Sequence, residues 1–440
     1  MNPGLPQAAG QPTPGRSTPR EISSRARHVL RSLRHRNFRL FLLGQVVSLT
    51  GTWMQSLAQG WLVWRLTHSA WLLGVVGFAQ MGPVLVLGLV GGLAADRFDR
   101  WRLVVCTQCA SLLQAASLAT LVLSGHIAVG HVLALAAVLG AINAFDMPAR
   151  QAFLVQMVGP EDLPNAIALN STTFNGARVV GPSLAGLVVA AWGEGVCFAL
   201  NAVTYAAVIG SLFAMRLPKR AQRHGREGAV RRLSRGLAYA WHTPHVRALL
   251  SLTAVSSIFG MSYNAFVPAF AGEVLHRDAR GLGVLMGSIG VGAMLGALLM
   301  AARQGIHGLA RTLGAMAVLF GAAITTFGLS RTFGLSCAAV AVVGFSMVVQ
   351  LAGTNTLLQS LVPDDMRGRL MSFYTVVFVG FAPIGSLLQG RLAAAIGVQH
   401  AVVIGGAITM LAGTTFALWA RNWAQPGPIP PLIPEVHPPV

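Results

Sequence analysis

The sequence predicts an all-α membrane protein with twelve transmembrane helices in two six-helix, pseudo-symmetric halves. Three observations predict it. Of 440 residues, 54% are hydrophobic and only 10% charged, with mean hydropathy +0.62; a soluble chain carries roughly 25% charge. Apolar stretches of about 20 residues, the length that crosses a bilayer, recur along the whole chain. The second set of stretches echoes the first at nearly constant spacing.

The elements follow in order. Residues 1–37 are rich in Pro, Gly, Ser and Arg and read as a disordered cytoplasmic tail. An Arg-rich, acid-poor start also fits a transit peptide, but the prolines and the lack of apolar periodicity favour the plain tail. No signal peptide is expected before the spans, so the first span would itself direct insertion. Six spans are expected at 38–64, 71–94, 102–124, 131–157, 167–192 and 196–216. A basic linker, 217–246, joins them to six more at 247–271, 282–302, 309–330, 334–361, 369–393 and 398–420. The first half is thus 38–216 and the second 247–421, and the Pro-rich end, 422–440, cannot pack.

The formal net charge is +19, and Lys219 is the sole lysine among 32 basic residues. On a soluble chain that balance would suggest nucleic acid. Here it reads as a topology signal. With both termini inside, 25 basic residues fall on the inner side and five on the outer, while Arg150 and Arg178 lie within spans. The reading is a multi-pass protein of the cell (inner or plasma) membrane, acting as a monomer, with no nucleic-acid partner. The four cysteines all sit in apolar stretches; Cys106 and Cys109 lack the second pair that a zinc site needs. No metal or cofactor is expected.

The repeat is visible residue by residue. Gly51 and Gly260 are 209 apart, as are Gly74 and Gly283. Gly186 and Gly193 match Gly390 and Gly397 at an offset of 204. Parallel six-span repeats with a site between them near the midplane are a transporter architecture.

After the second span stands Gly92-Leu93-Ala94-Ala95-Asp96-Arg97-Phe98-Asp99-Arg100-Trp101-Arg102. The physical logic is a tight inner turn. Gly lets the chain reverse, Asp96 can accept from N–H groups at the next helix start, and the arginines anchor to the inner surface. This segment resembles the major facilitator hallmark G-x-x-x-D-R-x-x-R-x-R. The resemblance covers roughly residues 36–421. It is closest to the enterobactin-exporter and macrolide-efflux branch, the transmembrane secretion effectors. Asn37-Phe38-Arg39-Leu40-Phe41, Asp146-Met147-Pro148-Ala149-Arg150-Gln151-Ala152-Phe153 and Ala177-Arg178-Val179-Val180-Gly181-Pro182 carry that closer likeness.

The resemblance implies a major facilitator fold and secondary active export of a small amphipathic molecule: a drug, a siderophore or another secondary metabolite. It implies alternating access with proton antiport as the energy source. Uptake of a small metabolite and lipid flipping are the alternatives. It also implies that Gly92, Asp96, Arg97 and Arg100 latch the inner side against the other half. The second half keeps only Arg303 at the matching place. Gly181, Pro182 and Gly186 resemble the exporters' fifth-span motif, with Ala177 and Ala185 where that motif has glycine. Gly and Pro there would bend the helix and allow close packing.

Charge inside a membrane is costly and by default functional. Asp146 is the carboxylate clearly within a span; Glu194 and Glu273 sit at outer ends. Arg150 lies at i+4 from Asp146, so the two can pair. Asp146, Arg150 and Arg178 could form a proton-sensitive cluster facing the cavity, its carboxyl tuned by burial and by arginine. They could equally be a permanent clamp. The branch's acid in the first span is missing, and Gln156 stands where a fourth-span acid is often found. Spans 1, 4, 7 and 10 offer Gln45, Gln55, Gln59, Asn143, Tyr263, Asn264, Gln350 and Asn355 as cavity candidates, with Met54 and Phe266 for apolar contact. Such a lining suits a bulky, uncharged or weakly charged molecule. The segment 229–243 reads as a basic amphipathic helix or a solvated linker.

A membrane-embedded enzyme is the competing class. The chain has no H-E-x-x-H, no H-x-x-x-x-D, no G-x-S-x-G and no Gly-rich phosphate loop ending in Lys-Ser/Thr. It reads as no enzyme.

Overall fold

The computed structural model describes residues 31–216, 237, 239–303, 305–421 and 423, with the backbone alone at 364 and 365. The calls on 1–30, on most of the linker and on 424–440 lie outside the described residues. The described residues open with a 3-10 turn, Arg31–Arg34. Helices α1 (Arg36–Thr67), α2 (Ala70–Arg97) and α3 (Arg100–Leu123) follow. Helical structure then extends from Val129 to Phe213, kinked at two glycines. Gly159 and Gly193 interrupt it with φ of 74° and 81°, a conformation open to glycine and strained for other residues. They divide it into α4 (129–158), α5 (160–192) and α6 (194–213).

The second half comprises α7 (Pro244–Val274), α8 (Ala279–Ala302), α9 (Leu309–Leu329), α10 (Phe333–Leu361), α11 (Asp364–Ile396) and α12 (Val398–Arg421). Twelve helices among the described residues thus match the twelve expected spans in order. Of the helix expected at 229–243, only the end is described; residues 239–242 are helical. Tyr239 and Ala240 pack into a core with Val246 and Leu249.

The repeat is built into the turns. His68 ends α1 and His276 follows α7, both in the left-handed region with φ of 46° and 48°. Ser69 then caps α2 by accepting from Leu72 N, and Asp278 caps α8 by accepting from Gly281 N, each satisfying an N–H that the first helical turn leaves unpaired.

The two halves meet through small residues. A Cβ on Gly74 of α2 would stand 2.4 Å from Ser386 O and 3.1 Å from Gly390 Cα on α11. A Cβ on Gly283 of α8 would stand 2.9 Å from Pro182 O and 3.0 Å from Gly186 Cα on α5. The residues paired by the sequence repeat therefore make the same contact twice, once on each side of the pseudo-twofold. Lipid gives helices no hydrophobic reason to associate, so close backbone approach supplies the attraction.

The apolar core shows how the halves are arranged. One cluster spans both halves and holds Leu62, Trp64, Leu73 and Val189 with Phe270, Leu282 and Val398. It lies at the end of the bundle where α1 ends and α2 begins. At the opposite, arginine-rich end the core splits in two. Phe38, Phe41, Phe153 and Leu212 form one cluster within the first half; Leu249, Leu313, Leu358 and Phe416 form another within the second. The halves are joined at one end and separate at the other.

Candidate functional site

Asp146 lies on α4 and is 2% exposed. Its Oδ1 accepts from Thr107 Oγ1 at 2.7 Å and Gln108 Nε2 at 3.0 Å, both on α3. Its Oδ2 pairs with Arg150 one turn along α4. Arg150 also donates to Gln45 Oε1 on α1 at 2.8 Å. Three helices are thus tied by one buried carboxylate and its partners. This is what a charge in a low-dielectric interior requires: a counter-charge and hydrogen bonds on the remaining lone pairs.

Arg178 does not join this cluster. It sits on α5, half-buried, with its guanidinium carbon 5.5 Å from the ring of Trp53 on α1. The expected trio is therefore a pair plus a separate arginine. Asp146 and Arg178 lie on different helices and take different neighbours.

The cavity candidates also divide. Gln55 donates to Gln114 Oε1 at 3.0 Å and accepts from Asn201 Nδ2 at 2.7 Å. Gln350 donates to Ser256 Oγ at 2.8 Å. Gln45, Gln55 and Gln350 are therefore buried and partnered within their own halves, and Gln350 lines a small cavity there with Ser256, Phe320 and Phe378. An amide in an apolar interior must find a partner, and the neighbouring helices provide one. Gln59 is buried with neither amide atom partnered among the described residues. Tyr263 is 1% exposed, whereas Asn264 is exposed and Asn143 half-buried. Asn355 is half-buried and accepts from Gln359 on its own helix.

The second half breaks where the first does not. Helix α7 runs as an α-helix to Val255, becomes a π-turn over Ser256–Gly260 and a 3-10 turn over Met261–Phe266, and ends in a second π-turn, Phe270–Val274. Such breaks free carbonyls that lipid cannot satisfy. Gln389 of α11 donates to Phe259 O at 2.6 Å, filling that need. Ser257 donates to Phe378 O at 2.7 Å.

The Gly92–Arg102 segment departs from expectation at one residue. Asp99, not Asp96, caps α3, accepting from Arg102 N at 2.9 Å. Asp96 belongs to the last turn of α2, too early to reach the next helix start. Asp96 and Arg97 are exposed and have no hydrogen bond or ion pair among the described residues. Arg100 donates to Ala152 O at 3.3 Å, within its own half. Gly92 is half-buried and unopposed. Among the described residues no hydrogen bond or ion pair from this segment reaches the second half, in keeping with the split core at this end.

In the fifth-span motif, a Cβ on Gly181 would meet Trp53 Cβ at 2.6 Å. Pro182 and Gly186 face Gly283 on α8. The motif thus presses α5 against both α1 and α8.

The chain matches the transmembrane secretion effector family over residues 28–423. It belongs to that family. This branch of the major facilitator superfamily includes relatives that match along most of their length. The staphyloferrin A transporter of Staphylococcus aureus is 24% identical, over 82% of this chain and 90% of that one. The multidrug efflux pump Tap of Mycolicibacterium fortuitum is 26% identical, over 84% and 92%. The enterobactin exporter EntS of Shigella boydii is 26% identical, over 82% and 86%. Among solved structures, a POT family transporter in complex with a thioalcohol-conjugated peptide superposes with TM-score 0.70 at 10% identity, over 88% and 96%. A bacterial homologue of the human lysosomal transporter Spinster gives 0.64 at 13%, over 87% and 94%. These structures share the major facilitator fold.

Sequence reasoning missed Thr107 and Gln108 as the partners of Asp146. The signal was present: Thr107, Ser111 and Gln114 recur at helical spacing along an otherwise apolar span, and all three are buried. A polar stripe on one face of a membrane helix marks the face turned to protein.

Proposed function

We propose that this secretion effector is a secondary transporter that exports a small amphipathic molecule by alternating access, its site lying between residues 38–216 and 247–421. The observation that carries the reading is the asymmetric core: shared at one end, divided at the arginine-rich end. The excess of basic residues supports a cytoplasmic arginine-rich end, with both termini inside. The open face would then load from within the cell, as export requires. Relatives named for a siderophore exporter and a multidrug efflux pump support that direction and substrate range.

The halves would rock about their paired glycine contacts, α2 on α11 and α5 on α8. As the outer end opened, the inner end would close. Asp96, Arg97 and Arg100 would then come within reach of the second half and act as the latch. We assign the energy source to proton antiport. Asp146 is the candidate carrier, because protonation would release Arg150 and loosen the tie between α1, α3 and α4.

A second reading has a specific observation in its favour. Asp146 already accepts from two side chains and pairs with a third, and on this reading it serves only as a clamp on its own half. One experiment separates the readings. The purified protein is placed in liposomes with an inside-acid pH gradient, and uptake of hydrophobic dyes, macrolides and siderophores is followed. Gradient-dependent accumulation that is lost in Asp146→Asn supports antiport through Asp146. Accumulation indifferent to pH makes Asp146 a clamp. Accumulation of nothing in the panel, in either direction, counts against export of this substrate range.

A further inference from the structure

Two arginines lie within spans, and they are treated differently. Arg150 is paired and hydrogen-bonded. Arg178, near the middle of α5, has no hydrogen bond or ion pair among the described residues. Its one close neighbour of note is the Trp53 ring, 5.5 Å away. A ring face attracts a cation but leaves the guanidinium's N–H donors uncommitted. A lone cation at that depth is costly to keep.

A second group nearby is also unmatched. Tyr263, on the broken stretch of α7 in the other half, is 1% exposed and lies within electrostatic reach of Arg178. Its hydroxyl has no hydrogen-bond partner among the described residues. A guanidinium of one half and a phenol O–H of the other thus lie within electrostatic range of each other, and neither is paired with a carboxylate among the described residues. Trp53 adds an aromatic wall, braced edge-on by Phe174 with ring centroids 5.7 Å apart.

We infer that Arg178, Tyr263 and Trp53 form an anion-binding subsite, and that the exported molecule carries a carboxylate or phenolate on an aromatic or otherwise apolar body. This rests on the export reading and narrows it. It also narrows the expectation of an uncharged or weakly charged cargo to an anion. The physical consequence is a coupling between loading and closure. The empty site holds a net positive charge, and sealing that charge from water is costly. An anion cancels it and adds charge-assisted hydrogen bonds from both halves. The loaded site closes; the empty one resists.

The test uses three probes with one aromatic body: 1-naphthoate, its uncharged amide 1-naphthamide and the cation 1-naphthylmethylamine. Binding to the full-length protein in detergent is measured by calorimetry. The wild type should bind naphthoate about tenfold or more tighter than naphthamide, the range expected of a charge-assisted contact, and naphthylmethylamine weakest. Arg178→Gln should abolish the preference and leave naphthamide unchanged. Arg178→Lys should keep part of it. Tyr263→Phe should weaken naphthoate binding less than Arg178→Gln does, without touching naphthamide. Equal affinity for the anion and the amide in the wild type, or no detectable naphthoate binding, overturns the inference; neither outcome needs a variant to fold. Unaltered discrimination in Arg178→Gln overturns it as well. Binding in detergent requires no gradient, so the export reading is judged separately. Naphthoate binding through Arg178 by a protein that moves nothing in liposomes would sink export alone. Driven transport by a protein blind to ligand charge would sink the subsite alone.

Discussion

The two six-helix halves share a topology and differ in what holds them. The first is stitched by side-chain polarity. Asp146, Arg150, Gln45, Thr107 and Gln108 tie α1, α3 and α4; Gln55, Gln114 and Asn201 tie α1, α3 and α6; Arg65 of α1 holds Glu194 at the start of α6 through two contacts of 2.8 and 3.1 Å. The apolar stretches of the second half hold no ion pair among the described residues. Its helices pack through glycine and aromatic contacts, such as Gly321 against Met410 and Phe270 against Phe327, and its α7 is broken. Charge networks fix one geometry, because any displacement leaves a buried charge unpaired. Apolar packing around a broken helix tolerates several. The first half is thus suited to move as one body, and the second to adjust around cargo.

The sharpest way to break this comparison is to remove the charge. Asp146→Leu leaves the half-buried Arg150 without its partner, and Thr107 and Gln108 without their acceptor, and should destabilise the protein by about 3–5 kcal/mol, read as a fall in thermal unfolding midpoint in detergent. Asp146→Leu with Arg150→Met should recover most of that loss. The matching change in the second half, Gln350→Leu, removes a single neutral hydrogen bond to Ser256 and should cost about 1 kcal/mol. Equal losses from Asp146→Leu and Gln350→Leu would mean that the halves are held alike after all.

The seam between the halves offers a second, smaller effect. Gly74→Ala and Gly283→Ala each place a methyl group against the opposite half, at 2.4 Å from Ser386 O and 2.9 Å from Pro182 O. Such overpacking costs about 1–3 kcal/mol. It falls only on the conformation in which these contacts are made, so both changes should shift the population away from the closed outer end. Spin labels placed at the outer ends of α2 and α11, and of α5 and α8, would read that as longer distances. A shift in Gly74→Ala alone would show that the two related contacts do not carry the motion equally.

Much of this was legible in the sequence, for identifiable reasons. The twelve spans follow from length and hydropathy, which depend on nothing beyond the local chain. The glycines of the Gly74·Gly390 and Gly186·Gly283 contacts were visible as repeat partners, Gly74 with Gly283 and Gly186 with Gly390, although the sequence did not say that each would face a member of the other pair. The site was read less well. Gln45, Gln55 and Gln350 lie on the cavity-lining helices, but the face each turns inward is set by the packing angle of its neighbours. Arg178 and Asp146 were grouped because both are charges in spans. Helical spacing relates Asp146 to Arg150 on one helix and is silent about which helix stands opposite. Only the fold places Trp53 under Arg178.

The smallest expected effect concerns the end of the first half, where the same charged stitching leaves the membrane. Asp162, at the start of α5 before its apolar stretch, is 1% exposed and holds the 3-10 turn that precedes α1. Its Oδ2 lies 2.7 Å from His35 Nε2 and 2.7 Å from Arg34, and its Oδ1 lies 2.8 Å from Arg31. The hydrogen bond with His35, then the charges of Arg31 and Arg34, hold the carboxyl below its ordinary value of 3.8, against the opposing cost of burial. A carboxyl whose pKa is lower in the folded state stabilises that state above its unfolded pKa. The contribution is lost only as pH falls through the lowered value. The turn should therefore stay docked from neutral pH down into the ordinary carboxylate range and release below it. Ser32, buried on that turn and bonded to Asn165 Oδ1 at 2.6 Å, reports the docking. A Ser32→Cys thiol should resist a maleimide at pH 7 and react readily once Asp162→Asn is added. Rapid labelling at pH 7 with Asp162 intact would show that the charged ties stop at the membrane edge, and the contrast between the halves would then belong to the bilayer-embedded helices alone.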